Sequence, residues 1–217
     1  MTKTMRYASP LGGILLAADD EGLIGAWFEG EKYFADGLPA DATEGESAIL
    51  AETKHWLDVY FSGREPEHTP PLHPMGSVFR QEVWALLRGI PYGHTTTYGA
   101  LAAQLAAAHG GKKMSAQAVG GAVGRNPISL LIPCHRVVGA SGSLTGYAGG
   151  LTKKIALLEL EHTVIQGGCA AGQLSASALG GVRAVGGCGH TGGVLADAGH
   201  EEPDLAQIFL EGADAGH

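Results

Sequence analysis

Cysteine is scarce in this chain. There are three among 217 residues, Cys134, Cys169 and Cys188, and none precedes Cys134. A small odd number excludes a simple disulfide framework and points to reduced thiols and a cytoplasmic setting. No apolar run approaches the ~18 residues that a bilayer-spanning helix needs. The opening MTKTMRYASPLGG lacks the apolar core of a secretory signal, so export is not expected. Hydrophobic content of 45% and charged content of 17% suit a water-soluble globular protein. The length suffices for one large or two small domains with a real core.

Acids are nearly absent from the middle of the chain. Residues 80–154 carry eight Lys/Arg and a single acid, Glu82, although the whole chain has a net charge of −8. Residues 1–79 hold five basic and thirteen acidic residues, and 155–217 one basic and eight acidic. The basic middle is a candidate polyanion-binding surface, although an uneven solvated surface accounts for the same numbers.

Lysine is missing from residues 163–217, where 13 glycines and 10 alanines fill 55 positions. Such a segment buries too little to offset its ordering entropy, and a disordered tail is expected. Cys169, Cys188, His190 and His200 match no compact zinc spacing and read as incidental.

The rest divides into two. Residues 4–28 alternate and turn as a small antiparallel meander, TMRYAS, ILLAAD and LIGAWF separated by PLGG and DDEG. Residues 29–45 are polar and loop-like. From Ser47 a helical period places Ile49, Leu50, Thr53, Trp56, Leu57 and Tyr60 on one face. The proline-rich stretch 65–74 excludes regular structure and reads as a linker. The expected organisation is an α/β domain over 1–64, a linker over 65–76, a helical domain over 77–162 and the tail from 163. In the second domain a helix after Ser77 buries Phe79, Val83, Trp84 and Leu87. A helix capped by Thr97 and a small-residue helix from about Ser115 to Val123 suit a helix-turn-helix. The small-residue helix fits a DNA backbone or tight packing in its own domain. ISLLIP then reads as a short strand or extended run, and Thr152 to Glu161 as a last helix with Ile155, Leu158 and the preceding Leu151 inward.

The chemistry concentrates in Leu130 to Leu151, LLIPCHRVVGASGSLTGYAGGL. A cysteine reacts as thiolate, which needs a neighbouring base, positive charge or helix N-terminus. His135 and Arg136 are candidates in sequence, with Glu161 able to orient the histidine. Adjacent residues of an extended chain point apart, so His135 reaches Cys134 only across a turn or a water. A buried inert cysteine fits Pro-Cys-His-Arg by itself as well.

IPCHRVVG followed by GYAGGL, with GRNP upstream, resembles the active-site signature of the O6-alkylguanine-DNA alkyltransferases, also called methylated-DNA–protein-cysteine methyltransferases. The likeness covers roughly residues 4–162 and is strongest over 79–162. It implies an α+β fold: a small RNase H-like antiparallel sheet with a helix, then a mostly helical, winged helix-turn-helix-like DNA-binding domain. It implies direct, single-use transfer of an alkyl group from O6-alkylguanine, and by extension O4-methylthymine, to Cys134 after base flipping. His135 would activate the thiol through a water, and Glu161 would complete the relay. Tyr98 would crowd the DNA phosphate, Asn126 brace the active-site turns and Tyr147 donate to the base. The backbone of Val137 and the loop glycines Gly149 and Gly150 would line the pocket. Ser115, Ala116, Gln117, Lys112, Lys113, Arg125 and Arg136 would face DNA. The implied partner is double-stranded DNA carrying O6-alkylguanine, met by a monomer without membrane, metal or cofactor.

Two positions depart from the family pattern. Gln117 stands where the family usually has an arginine that fills the gap left by the flipped base. The segment from Tyr98 to Gln117 is about five residues longer than usual and carries Lys112 and Lys113. The zinc site of some relatives' N-terminal domains is not expected, since no cysteine precedes Cys134. Three rival readings remain: a non-catalytic lesion binder of the same fold, a plain helix-turn-helix regulator, and a cysteine hydrolase using Cys134, His135 and Glu161. Lesion-binding relatives lack the acceptor cysteine, a regulator needs neither Cys134 nor Glu161, and nothing marks an oxyanion hole.

Overall fold

The alternating segments near the N-terminus form a sheet, and one of its edges receives two later segments of the chain. The computed structural model describes residues 1–162; the expectations for 163–217, with Cys169, Cys188, His190 and His200, lie outside the described residues. Strands β1 (Lys3–Ser9), β2 (Gly12–Ala18) and β3 (Leu23–Phe28) make the expected antiparallel meander, with Tyr7 opposite Ile14 and Ile14 opposite Phe28. A fourth strand, β4 (Thr43–Glu44), joins β1 in parallel inside the stretch read as loop, so the sheet order is β3-β2-β1-β4. All six residues of β3 are buried, because both its faces are covered. Leu23, Ala26 and Phe28 enter the main core, while Ile24 and Trp27 pack with Ala17 in a second cluster.

Helix α1 (Ala48–Phe61) starts where Ser47 accepts the Leu50 N–H at 3.2 Å, and buries Leu50, Thr53, Trp56, Leu57 and Tyr60. Helix α2 (Val78–Arg88) is capped by Ser77 and buries Val83, Trp84 and Leu87. Helix α3 (Tyr98–Ala108) is capped by Thr97 and α4 (Ala116–Val123) by Ser115. These side-chain caps satisfy N–H groups that have no partner within the helix. The Trp84 indole donates to the Ala122 carbonyl at 3.0 Å and fixes α2 across α4. Two-residue strands β5 (Thr96–Thr97) and β6 (Val137–Val138) pair in parallel. Helix α5 (Leu151–Leu160) ends the described chain. Its buried residues are Lys154, Leu157 and Leu158, whereas Ile155 is half-buried and Leu151, expected inward, is exposed at the helix start. No helix among the described residues is long and apolar enough to cross a membrane.

The edge of β3 explains how the site is held. The proline-rich stretch is not free of ordered pairing: Leu23 donates to the Pro71 carbonyl and accepts from His73, both at 2.8 Å. Prolines flank this bridge and contribute carbonyls only, which suits a sheet edge. Farther along, Ala26 donates to the Pro127 carbonyl at 2.9 Å and accepts from Ser129 at 2.8 Å. The segment leading to Cys134 is therefore docked on the sheet. It is not a continuous strand. After the single bridge at Ile128 the chain turns, and Leu130 takes a positive φ of 75°, uncommon for a bulky residue.

Candidate active site

Asn126 organises the approach to Cys134. Its side-chain amide donates to the Ile132 carbonyl at 2.7 Å and the Ile128 carbonyl at 3.3 Å, and its oxygen accepts from the Ile128 N–H at 3.0 Å. These bonds satisfy backbone groups that an extended run would have paired in a sheet. They hold the turn over 128–132, and the same amide lies 3.1 Å from Cys134 Sγ. Cys134, His135 and Arg136 then form one 3₁₀ turn. The turn swings three neighbouring side chains in directions an extended chain does not allow.

Cys134 is buried, and burial pushes its thiol up to about 11 although the Asn126 hydrogen bond works the other way. The resting thiol is therefore protonated at neutral pH and needs a base. His135 is fully buried, with Nε2 2.7 Å from Glu161 Oε1. Burial opposes ionisation of Glu161, but hydrogen bonds and charge from His135 and Arg136 overcome it and hold the carboxyl at about 2. Burial lowers the His135 pKa against the pull of Glu161, with Arg136 and Lys154 adding to the lowering. A neutral imidazole beside a carboxylate carries its proton on the nitrogen facing that carboxylate. Nδ1 is then the basic nitrogen, and it is buried without a partner among the described residues.

Tyr147 closes another side of this group. Its ring meets His135 edge-on at 6.5 Å, and its hydroxyl is buried with no hydrogen-bond partner among the described residues. Burial pushes that phenol well up, so it stays a donor. Gly149 lies against the Tyr147 ring, where an added Cβ would sit 2.8 Å from Cε1. Gly150 precedes α5 at φ 88°, a conformation that favours glycine. Val137 is buried in β6, and its carbonyl accepts from Lys154 Nζ at 2.5 Å. Tyr98 is half-buried and its hydroxyl sits 3.3 Å from the carbonyls of both Thr145 and Gly146.

Ser115, Ala116, Gln117, Lys112 and Lys113 are all exposed, on the start of α4 and the loop before it. Arg125 is engaged by the N-terminal half: it pairs with Asp36 at 3.1 Å and lies over the Tyr33 ring at 4.0 Å. Arg136 corrects the sequence expectation. It is 8% exposed and its side chain faces inward. Its guanidinium grips Glu161 with Nε–Oε2 at 2.9 Å and Nη2–Oε1 at 3.0 Å, and donates to the Ile90 carbonyl at 2.6 Å. A buried carboxylate recruits the nearest cation, and the 3₁₀ turn puts Arg136 there.

Three buried polar residues were not singled out by sequence as part of the site. Lys154 bonds the Val137 and Thr145 carbonyls, and burial pulls its ammonium down to about 8. Glu31 follows β3, with Oε2 accepting from the Phe28 N–H at 3.2 Å, and burial raises its carboxyl to about 7. Tyr60 reads as a core residue of α1, yet its hydroxyl donates to Glu161 Oε1 at 2.7 Å. The only available signal was polarity inside an apolar pattern, which does not distinguish Lys154 from its neighbour Lys153.

Two family models match the chain back to back: the ribonuclease-like domain of 6-O-methylguanine DNA methyltransferase over residues 3–74, and the DNA binding domain over 78–163. A methylated-DNA–protein-cysteine methyltransferase of Methanosarcina acetivorans is 43% identical over 156 residues, 71% of this chain and 95% of its own length. The chain belongs to the 6-O-methylguanine DNA methyltransferase family. Its namesake in Haemophilus influenzae is 40% identical over 156 residues, covering 71% of this chain and 83% of that protein. Among solved members of the methyltransferase family, the crystal structure of Mycobacterium tuberculosis OGT in complex with DNA superposes with a TM-score of 0.63 at 38% identity. That match covers 74% of this chain and 92% of the other. The ribonuclease-like sheet and the DNA-binding helices expected for this methyltransferase family are thus the ones seen.

Proposed function

We propose that this protein repairs DNA by moving the alkyl group of O6-alkylguanine, and of O4-methylthymine, onto Cys134, once per molecule. The observation that carries the reading is the pairing of a protonated buried thiol with a neutral histidine whose Nδ1 is free and whose Nε2 is held by ionised Glu161. The target base leaves the duplex because its O6 substituent is out of reach inside a base pair. The thiol proton passes through a bridging water to His135 Nδ1. The thiolate attacks the alkyl carbon, the C–O bond breaks, and its electron pair stays on O6. The proton lost by the thiol is matched by the one guanine regains. Tyr147, a buried donor, hydrogen-bonds the departing base and makes it a better leaving group. The product is a thioether, which does not hydrolyse, so the protein is consumed. The displacement calls for no metal or diffusible cofactor.

In this reading residues 1–64 support the site, 65–76 tie the halves together and 77–162 bind DNA. Ser115, Ala116 and Gln117 enter the groove, and Lys112 and Lys113 meet phosphate. Val137, Gly149 and Gly150 line the base pocket, and Tyr98 helps turn the nucleotide out. The protein works as a monomer in the reducing cytoplasm, where Cys134 stays a thiol. The test is a duplex carrying labelled O6-methylguanine, with the Cys134→Ala variant as control. Label on Cys134 supports the proposal. Tight lesion binding without transfer, or binding without lesion preference, contradicts it.

A further inference from the structure

Tyr60 sits on α1 in the N-terminal half, 101 residues from Glu161, and its ring is fully buried. It stacks on Trp56 at 5.2 Å and 8° between ring planes, so the side chain is held independently of the polar group it meets. Its hydroxyl donates to Glu161 Oε1 at 2.7 Å, the same oxygen that accepts from His135 Nε2 at 2.7 Å and from Arg136 Nη2 at 3.0 Å. The hydroxyl lies 3.4 Å from His135 Nε2 as well. The other carboxylate oxygen takes Arg136 Nε at 2.9 Å and the Gly93 N–H at 3.3 Å.

We infer that Tyr60 is a positioning residue of the relay: its hydroxyl shares Glu161 Oε1 with His135 and so sets how strongly the carboxylate pulls on the imidazole. A carboxylate oxygen has limited capacity, and each added donor withdraws charge from the others. With the Tyr60 donor in place, His135 is held in orientation without being made so basic that it is protonated at neutral pH. The N-terminal half thereby contributes a group to the reacting centre. Among the described residues, the groups facing the relay are Tyr60 from α1, Tyr92 from the turn before β5, Cys134 and Arg136 from the 3₁₀ turn, Tyr147 from the following loop, Lys154 from α5 and, on the Cys134 side, Glu31 after β3. None of the others offers a neutral donor to Oε1.

This inference rests on the alkyl-transfer reading, and its test separates the two. Tyr60→Phe keeps the ring and its stacking and removes only the donor. In Tyr60→Phe the charge on Oε1 falls more fully on His135, which becomes easier to protonate. The acid limb of the alkyl-transfer pH profile moves up by about half a unit. The same upward shift appears in a direct titration of the His135 ring nitrogens by ¹⁵N NMR, a readout that needs no DNA. A limb and a His135 titration that stay in place, whatever happens to the rate, overturn the inference, because lost packing alone lowers the rate without moving the titration. A wild-type protein that transfers no alkyl group refutes the proposed function, while the NMR arm still decides the role of Tyr60.

Discussion

Arg136 and Glu161 form a two-pronged buried ion pair, with Nε–Oε2 at 2.9 Å and Nη2–Oε1 at 3.0 Å. Neither side chain has an alternative partner in water, since their side chains are 10% and 0% exposed. Replacing Arg136 by alanine leaves an uncompensated carboxylate in the core. The expected loss is about 3–5 kcal/mol of folding stability, read as a lower urea midpoint. Arg136→Lys keeps the charge but not the fork, and falls between the two. Neither variant changes the salt dependence of DNA binding, because Arg136 does not face DNA.

Glu161 also predicts an acid limit. Its folded-state value of about 2 lies below its ordinary 4.5. A depressed carboxyl contributes stability that is fully present above its ordinary value and is lost as pH falls toward the folded one. Urea midpoints measured between pH 5 and pH 2 should fall steeply in the wild type. Glu161→Gln, weaker throughout, should show a shallower slope in that window.

Lys154 predicts a trend in the same direction at high pH. Its ammonium is lowered to about 8 from an ordinary 10.5. Between those values the unfolded chain binds more protons, so Lys154 makes the fold more stable as pH rises. The stability difference, wild type minus Lys154→Met, should grow from pH 8 to pH 10.5. The variant also frees the Val137 and Thr145 carbonyls, and alkyl transfer should slow even where the fold persists.

Asn126→Ala removes the amide that holds the Ile128 and Ile132 carbonyls and touches Cys134 Sγ. Both carbonyls keep a backbone donor, but the buried Ile128 N–H loses the Asn126 oxygen, which costs about 1–3 kcal/mol, measurable by thermal unfolding. The turn at Leu130 loses its brace, and the transfer rate falls further than the stability loss explains.

Gln117 and the lysine pair predict the DNA response. Gln117→Arg should tighten binding to lesion-bearing duplex and speed transfer, since an exposed arginine adds charge and a stacking plane at the start of α4. Removing Lys112 and Lys113 together should reduce the slope of log affinity against log salt by about 1–2. An unchanged slope would mean that neither meets phosphate.

The fold was largely legible because its signals are local. Ser47, Ser77, Thr97 and Ser115 each cap the helix they announce, and the meander alternates as a half-buried sheet does. What escaped depends on partners far along the chain. Nothing near Tyr60 points to Glu161, and nothing near Arg136 tells an inward guanidinium from a DNA-facing one. ISLLIP has the composition of a strand, and only the Asn126 side chain turns it aside. β4 is two residues long and exists because β1 offers an edge. The reactive trio itself was legible as a motif, but the tautomer of His135 follows from Glu161, which three-dimensional folding brings to it.

Cys134 is the proposed stoichiometric alkyl acceptor. The most direct measurement is mass spectrometry of the intact protein and of its Cys134 peptide after incubation with excess O6-methylguanine duplex. The expected result is a mass increase of one methylene unit on the Cys134 peptide, saturating at one per protein. Repair that continues beyond one lesion per protein, or a Cys134 peptide that stays unmodified while the lesion disappears, would contradict it.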